Sequence, residues 1–217
     1  MYVKNKMITD VITVFPEASI SLAFQTMHEK GVKQLPVVKN GKLVGLVTET
    51  LLAEFSPSKA TSLSIYELNY ILAKTKVASI MATDVPVCHP DMLIETVVSI
   101  MREQDVNMLP VVNENNTLVG VISRNDMLDA FLEIIGAKDT GARIAIEAPN
   151  RTGTLADIAT IITEYGANIT HITIFTSPDG TESELILRMN TGQVDGIIQA
   201  LEKKGYRVLR VDQSAGA

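Results

Sequence analysis

Apolar residues recur at helical spacing twice in the first half of the chain: Ile20, Ala23, Phe24 and Met27, then Ile94, Val97, Val98 and Met101. Each set stands at i, i+3, i+4 and i+7, which predicts an amphipathic helix with one apolar stripe. Gly31 can close the first helix in a left-handed conformation. Short apolar runs come next: Val37-Val38 and Leu43-Val44 flank Lys39-Asn40-Gly41-Lys42, and Asn-Gly between such runs is the strongest short signal of a hairpin. The corresponding turn after the second helix is the longer Asn113-Glu114-Asn115-Asn116. Pro36 and Pro110 lack a donor, so each is expected to begin a strand or lie on its edge.

The pattern changes past Gly136. Gly136 to Gly141 reads as a linker, and Ile144-Ala145-Ile146 opens a strand. Leu155, Ile158, Ala159 and Ile162 repeat the helical stripe, which Gly166 ends. Ile169 to Thr176 alternates as a strand, and Ser177-Pro178-Asp179-Gly180 turns into another from Glu184 to Met189. Val194, Ile197, Ile198 and Leu201 make a second stripe, Gly205 caps it, and Tyr206 to Val211 is the last strand. The order βαββαβ is the ferredoxin-like arrangement.

The two early helices belong to an internal repeat. One register aligns Met7-Ile8-Thr9-Asp10-Val11 with Met81-Ala82-Thr83-Asp84-Val85, Pro16 with Pro90, Met27 with Met101, and Leu35-Pro36-Val37-Val38 with Leu109-Pro110-Val111-Val112. It slips by one residue at Leu43-Val44-Gly45 against Leu118-Val119-Gly120, as an insertion in a turn does. Each copy reads as β-α-β-β, and a polar, partly helical segment from Ser56 to Lys76 joins them. Neither copy can bury a helix face and a sheet face alone, so the two are expected to pack together.

The second copy ends on Leu118-Val119-Gly120-Val121-Ile122-Ser123-Arg124-Asn125-Asp126. Ser123 can cap a helix with a carboxylate three residues later, and two readings stay open: a capping box, or acceptors for a ribose diol. Gly120 removes a side chain where another backbone or a flat ligand needs to approach. In the first copy the third residue after Thr48 is Leu51, which cannot accept a hydrogen bond.

Composition narrows the classes. With 217 residues, 46% hydrophobic and 20% charged, two globular units are expected. No apolar run reaches the ~18 residues of a membrane span, and the N-terminus lacks a secretory core, so a cytoplasmic protein without membrane is expected. A net charge of −6 argues against nucleic acid as a partner. The single cysteine, Cys88, excludes an intrachain disulfide and reads as a small buried hydrophobe. His28, His89 and His171 sit in no metal spacing, and neither Gly-x-Ser-x-Gly nor a P-loop is present, so neither an enzyme nor a metal site is expected.

The Met-x-x-Asp-Val openings, the Leu-Pro-Val-Val strands and the closings at Leu43 to Thr48 and Leu118 to Ser123 make residues 1 to about 135 resemble a tandem pair of CBS motifs, the Bateman module. Motif one covers about 1–56 and motif two about 77–135. The resemblance implies a cleft for an adenine nucleotide (AMP, ADP or ATP) or S-adenosylmethionine. It carries the phosphate and ribose contacts over to Ser123 and Asp126. Thr83, Val85, Val106, Met108 and Pro110 are expected to line the adenine slot, with Arg124 in reach of a phosphate or else a solvated helix residue. A weaker second site falls on Thr9, Val32, Gln34, Pro36 and Thr48.

Residues 143–213, behind a linker at 136–142, resemble an ACT domain. The matching residues are Asn150-Arg151-Thr152-Gly153-Thr154-Leu155 and Gly166-Ala167-Asn168-Ile169. That family implies sheet pairing in a homodimer with a small ligand, often an amino acid, at the interface; the carried-over positions are Asn150, Gly153, Thr154, Leu155, Asn168 and Ile169. Asn150 replaces the family's usual acid, and a purely dimerising role stays open. The expected fold is α+β: two β-α-β-β CBS motifs packed as a pair, then a βαββαβ ACT-like domain. The combination resembles the acetoin-utilisation B family, which implies a regulatory, ligand-sensing protein acting on an unknown partner. The alternatives are a ligand-free structural or dimerisation subunit, or a small enzyme.

Overall fold

The computed structural model describes residues 1–55 and 65–214. Part of the joining segment expected at Ser56 to Lys76 therefore lies outside the described residues. The chain divides into two compact units, Met1–Met127 and Leu128–Ala217.

The first unit contains the repeat. Copy one runs through a 3₁₀ turn Val3–Asn5, α1 Ile20–Lys30, β1 Gln34–Lys39, β2 Lys42–Thr48 and α2 Glu49–Glu54. After α3 Ile65–Lys74, copy two repeats the plan with a 3₁₀ turn Val77–Ser79, α4 Ile94–Glu103, β3 Met108–Val112 and β4 Leu118–Ser123; α5 Arg124–Ile134 follows and spans the boundary between the units. The Leu22 N–H donates to Ser19 Oγ at 3.1 Å, a cap worth about 1 kcal/mol. Gly31 closes α1 at φ 65°. The expected stripe is buried through Ile20, Ala23 and Met27, which pack with Leu35, Val37 and Val47. Val98 of the second stripe stays exposed, so the buried face of α4 is Ile94, Val97 and Met101. Asn40 and Gly41 both take positive φ, 53° and 79°, as a two-residue hairpin turn requires.

Pro36 and Pro110 do not begin their strands, but each lies on the edge of a two-stranded sheet, as expected, third in its strand and opposite Leu46 and Val121. On that outer edge each proline carbonyl accepts from a single residue of the copy's opening segment, the Val14 and Cys88 N–H groups. The N–H that proline lacks would point the same way, so the parallel pairing stops there. Each expected opening strand is accordingly reduced to one bridge, Val14 to Val37 and Cys88 to Val111.

The copies are held together by exchange of these openings. Ile8 pairs with Val121 of β4, and Ala82 pairs with Leu46 of β2. The turn Val3–Asn5 docks on copy two, where Val3 and Lys4 donate to Met92 O and Pro90 O. Val77 and Ala78 donate to Ala18 O and Pro16 O of copy one in the same way. Gly45 and Gly120 stand where the exchanged backbones cross: a Cβ at Gly45 would lie 2.8 Å from Ala82 O, and one at Gly120 would lie 3.0 Å from Ile8 O.

The second unit has the expected βαββαβ order: β5 Gly141–Pro149, α6 Thr154–Glu164, β6 Ile169–Thr176, β7 Glu182–Met189, α7 Asp195–Lys203 and β8 Arg207–Ser214. All neighbours in the sheet β6-β7-β5-β8 are antiparallel. Alternate residues Ile144 and Ile146 of β5 and Leu185, Leu187 and Met189 of β7 meet Ile158, Ile162, Ile197 and Leu201 from the helices. Leu155, placed in the buried stripe by its spacing, is exposed, and Ile161 is buried instead. A helix lying on a twisted sheet presents a face slightly rotated from the ideal period.

Candidate functional site

β4 runs directly into α5, and Ser123 is the residue between. Its N–H and its hydroxyl both donate to Asp126 Oδ2, each at 2.6 Å. The Asp126 N–H donates back to Ser123 Oγ at 3.3 Å. This is a closed capping box with aspartate as its acidic member. Among the described residues no donor reaches Asp126 Oδ1. The two readings of the stretch are therefore compatible: one oxygen fixes the helix start, and the other is held in a set direction for a further donor. In copy one the cap is single, Leu51 N–H to Thr48 Oγ1 at 3.1 Å, and no carboxylate completes it.

The other expected residues divide. Met108 lies opposite Ser123 and Pro110 opposite Val121, so both border the box. Val85 lies on the opening segment three residues before Cys88, whose N–H donates to Pro110 O. Thr83 follows Ala82 and so sits at the seam with β2, on the other copy's strand. Arg124 folds back over the C-terminal end of α4: its Nε donates to Val106 O at 3.0 Å and its Nη2 to Asp105 Oδ1 at 3.1 Å. These are acceptors at the C-terminal end of α4, where a cation is favoured. The weaker set is divided likewise. Gln34 and Pro36 lie opposite Thr48 and Leu46, whereas Thr9 follows Ile8 beside β4 of copy two. Val32 lines a separate groove between α1 and the start of α2.

In the second unit, Gly153 takes φ 94° ahead of α6, and the Thr154 hydroxyl donates to Pro149 O at 2.8 Å. The Asn150 side-chain amide donates to Gly180 O at 2.9 Å, which ties it to the β6–β7 turn. With Leu155 these lie at the end of the sheet where Pro149 faces Glu182. Asn168 and Ile169 lie at the opposite end, where Ile169 faces Met189. Strand rise puts the two groups about 20 Å apart, so one chain does not assemble the six positions into one site. A cavity of about 240 Å³ in this unit is lined instead by Glu147, Phe175, Glu184 and Leu209, among others.

Between the two copies, Gly31 and Glu49 stand where Asp105 and Arg124 stand, a difference that hydrophobic periodicity does not carry. Among the described residues no group of three or more His, Cys, Asp or Glu side chains is placed to hold a metal. No helix among them is long and apolar enough to cross a membrane.

Cys88 is fully buried, and burial pushes its thiol up to about 12. Reaction needs the thiolate. Native protein at pH 8 is therefore expected to leave a disulfide reagent unreacted over minutes, and denatured protein to react with it stoichiometrically.

A CBS domain model matches residues 3–57 and 77–133, and an ACT domain model matches 142–205. The chain belongs to the CBS-domain family and carries an ACT domain behind its CBS pair. Neither matched model is a catalytic domain. The CBS domain-containing protein YhcV of Bacillus subtilis (strain 168) is 30% identical over 125 residues, 58% of this chain and 81% of YhcV. An inosine-5'-monophosphate dehydrogenase of Korarchaeum cryptofilum (strain OPF8) is 25% identical over 97% of this chain, which spans only 43% of that enzyme. Among solved structures, CBSX2 in complex with AMP has a TM-score of 0.52 at 25% identity, covering 61% of this chain and 97% of its own. An acetoin utilization protein (AcuB) from Vibrio cholerae gives 0.52 at 22% identity, covering 63% and 93%, a likeness of fold.

Proposed function

We propose that this chain is a regulatory ligand sensor whose copy-two site binds an adenine nucleotide or an adenosyl compound such as S-adenosylmethionine, and which biases a partner protein rather than catalysing a reaction. The observation that carries this is the Ser123–Asp126 box. A carboxylate fixed by two donors on one oxygen presents the other to a ribose diol, an arrangement that favours charge-assisted hydrogen bonds. The AMP complex of CBSX2, similar over its whole length, supports the ligand class. The protein acts in the cytoplasm, and a homodimer follows from the ACT domain: its two groups of ligand positions lie at opposite ends of one sheet, and a second copy related by a two-fold would bring them together. An amino acid would sit there, held by Gly153 and Thr154 of one chain and Asn168 of the other.

Native mass spectrometry with AMP, ADP, ATP and S-adenosylmethionine in turn tests the reading. The expected result is a dimer that takes up one adenosine ligand per chain. A monomer that takes up none of the four overturns it in favour of a structural subunit.

A further inference from the structure

The two copies share one framework at the end of the first helix and fill it differently. In copy two, Asp105 takes φ 48°, and Arg124 reaches it across the C-terminus of α4. The Arg124 fork also donates to Val106 O at 3.0 Å and to Met101 O at 3.4 Å. In copy one the corresponding positions are Gly31, with φ 65°, and Glu49. The backbone around them is the same. Arg124 N–H donates to Asn107 O and Glu49 N–H to Lys33 O, both at 2.9 Å; Val106 N–H donates to Met101 O and Val32 N–H to Met27 O, both at 3.0 Å.

Copy one has no guanidinium of its own to fill this place. It holds a groove of about 300 Å³ walled by Phe24, Met27 and Val32. Gly31 opens its mouth, with nothing within 4 Å of where a Cβ would stand. Glu49 lines it, and among the described residues no donor reaches the Glu49 carboxylate or the Val32 carbonyl. Lys33 and His28 line it as well.

We propose that this groove is a binding site for a basic amino acid of the arginine type, whose guanidinium takes the place that Arg124 fills in copy two. A guanidinium matches a carboxylate with two parallel N–H donors, and the negative end of α1 favours a cation at this position. The methylenes of the stem lie along Phe24 and Met27, as such stems do on apolar surface. Lys33 supplies a counter-charge for the ligand's carboxylate. The site is separate from the adenosine site of copy two and does not depend on it.

The test is calorimetric titration of the full chain with L-arginine and with L-citrulline, which has the same shape and a neutral urea in place of the guanidinium. Arginine binds and citrulline binds at least about tenfold more weakly, the ratio expected for one charged hydrogen-bonded pair. Glu49→Gln lowers arginine affinity by a similar factor. Gly31→Asp combined with Glu49→Arg, which copies the residues of copy two into copy one, folds with an undiminished melting temperature and no longer binds arginine. Equal binding of citrulline, arginine affinity unchanged in Glu49→Gln, or no arginine binding at millimolar concentration overturns the proposal. AMP uptake, measured on the same samples, is unaffected by either set of variants.

Discussion

Asp126→Ala is expected to abolish adenosine-ligand binding to the CBS pair while leaving the pair folded. Two charge-assisted hydrogen bonds to a ribose diol are worth about 1.5 kcal/mol each at the low end, so their loss weakens binding by about 100-fold or more. The same carboxylate oxygen pattern also closes the capping box, since Ser123 donates to it twice at 2.6 Å. Loss of that role costs about 1 kcal/mol of stability. The two contributions separate in Asp126→Asn. The amide oxygen can still accept from Ser123, but the nitrogen now in place of Oδ1 donates and cannot accept from a hydroxyl. Binding falls as in the alanine variant, and the melting temperature stays near that of the parent. Leu51→Ala, at the matching position of copy one, leaves affinity unchanged. Calorimetry that found two equal sites per chain, both surviving Asp126→Ala, would sink the asymmetric assignment.

The legible parts of this molecule are those set by neighbours in the chain. The Asn40-Gly41 turn, the Gly31 cap and the order of the ACT elements all follow from residues a few positions apart, and the structure has them where the sequence puts them. What was not legible depends on a partner far along the chain. Gly120 read equally well as room for a ligand or for a backbone, and the structure assigns it to the backbone of Ile8. Pro36 was legible as an edge residue, but what its outer edge faces, the Val14 of the opening segment, was not. Arg124 read either as a phosphate contact or as a solvated helix residue; its contacts with Asp105 and the carbonyls at the end of α4 were not legible, because they depend on a side chain long enough to fold back. Asn168 and Asn150 both fall at positions carried over from the ACT resemblance, yet strand direction puts them at opposite ends of one sheet. Motif matching is blind to that separation.

Gly45→Ala and Gly120→Ala are expected to be the most destabilising single-methyl additions in the CBS pair. At Gly45 the new Cβ would stand 2.8 Å from both Ala82 O and Met81 Sδ. The thioether can swing aside at small cost. The carbonyl cannot, because the Leu46 N–H donates to it and the Ala82 N–H donates back to Leu46 O, both at 2.9 Å. Relief at Gly45 therefore means breaking the bridge by which copy two's opening enters copy one. Gly120 repeats the case, with Ile8 O at 3.0 Å and the Ile8–Val121 bridge at stake. Overpacking of this kind costs about 2–3 kcal/mol, read as a lower denaturant midpoint for the CBS unit at an unchanged slope. Gly192→Ala, where nothing lies within 4 Å of the added carbon, serves as the control and is expected to move the midpoint very little. Met81→Ala in the Gly45→Ala background removes the sulfur contact but not the carbonyl contact, so it should not restore the parent midpoint. Full rescue by Met81→Ala would mean that side-chain crowding alone requires glycine here. Failure to rescue locates the requirement in the exchanged backbone, which makes each copy's closing strand depend on the other copy's first residues.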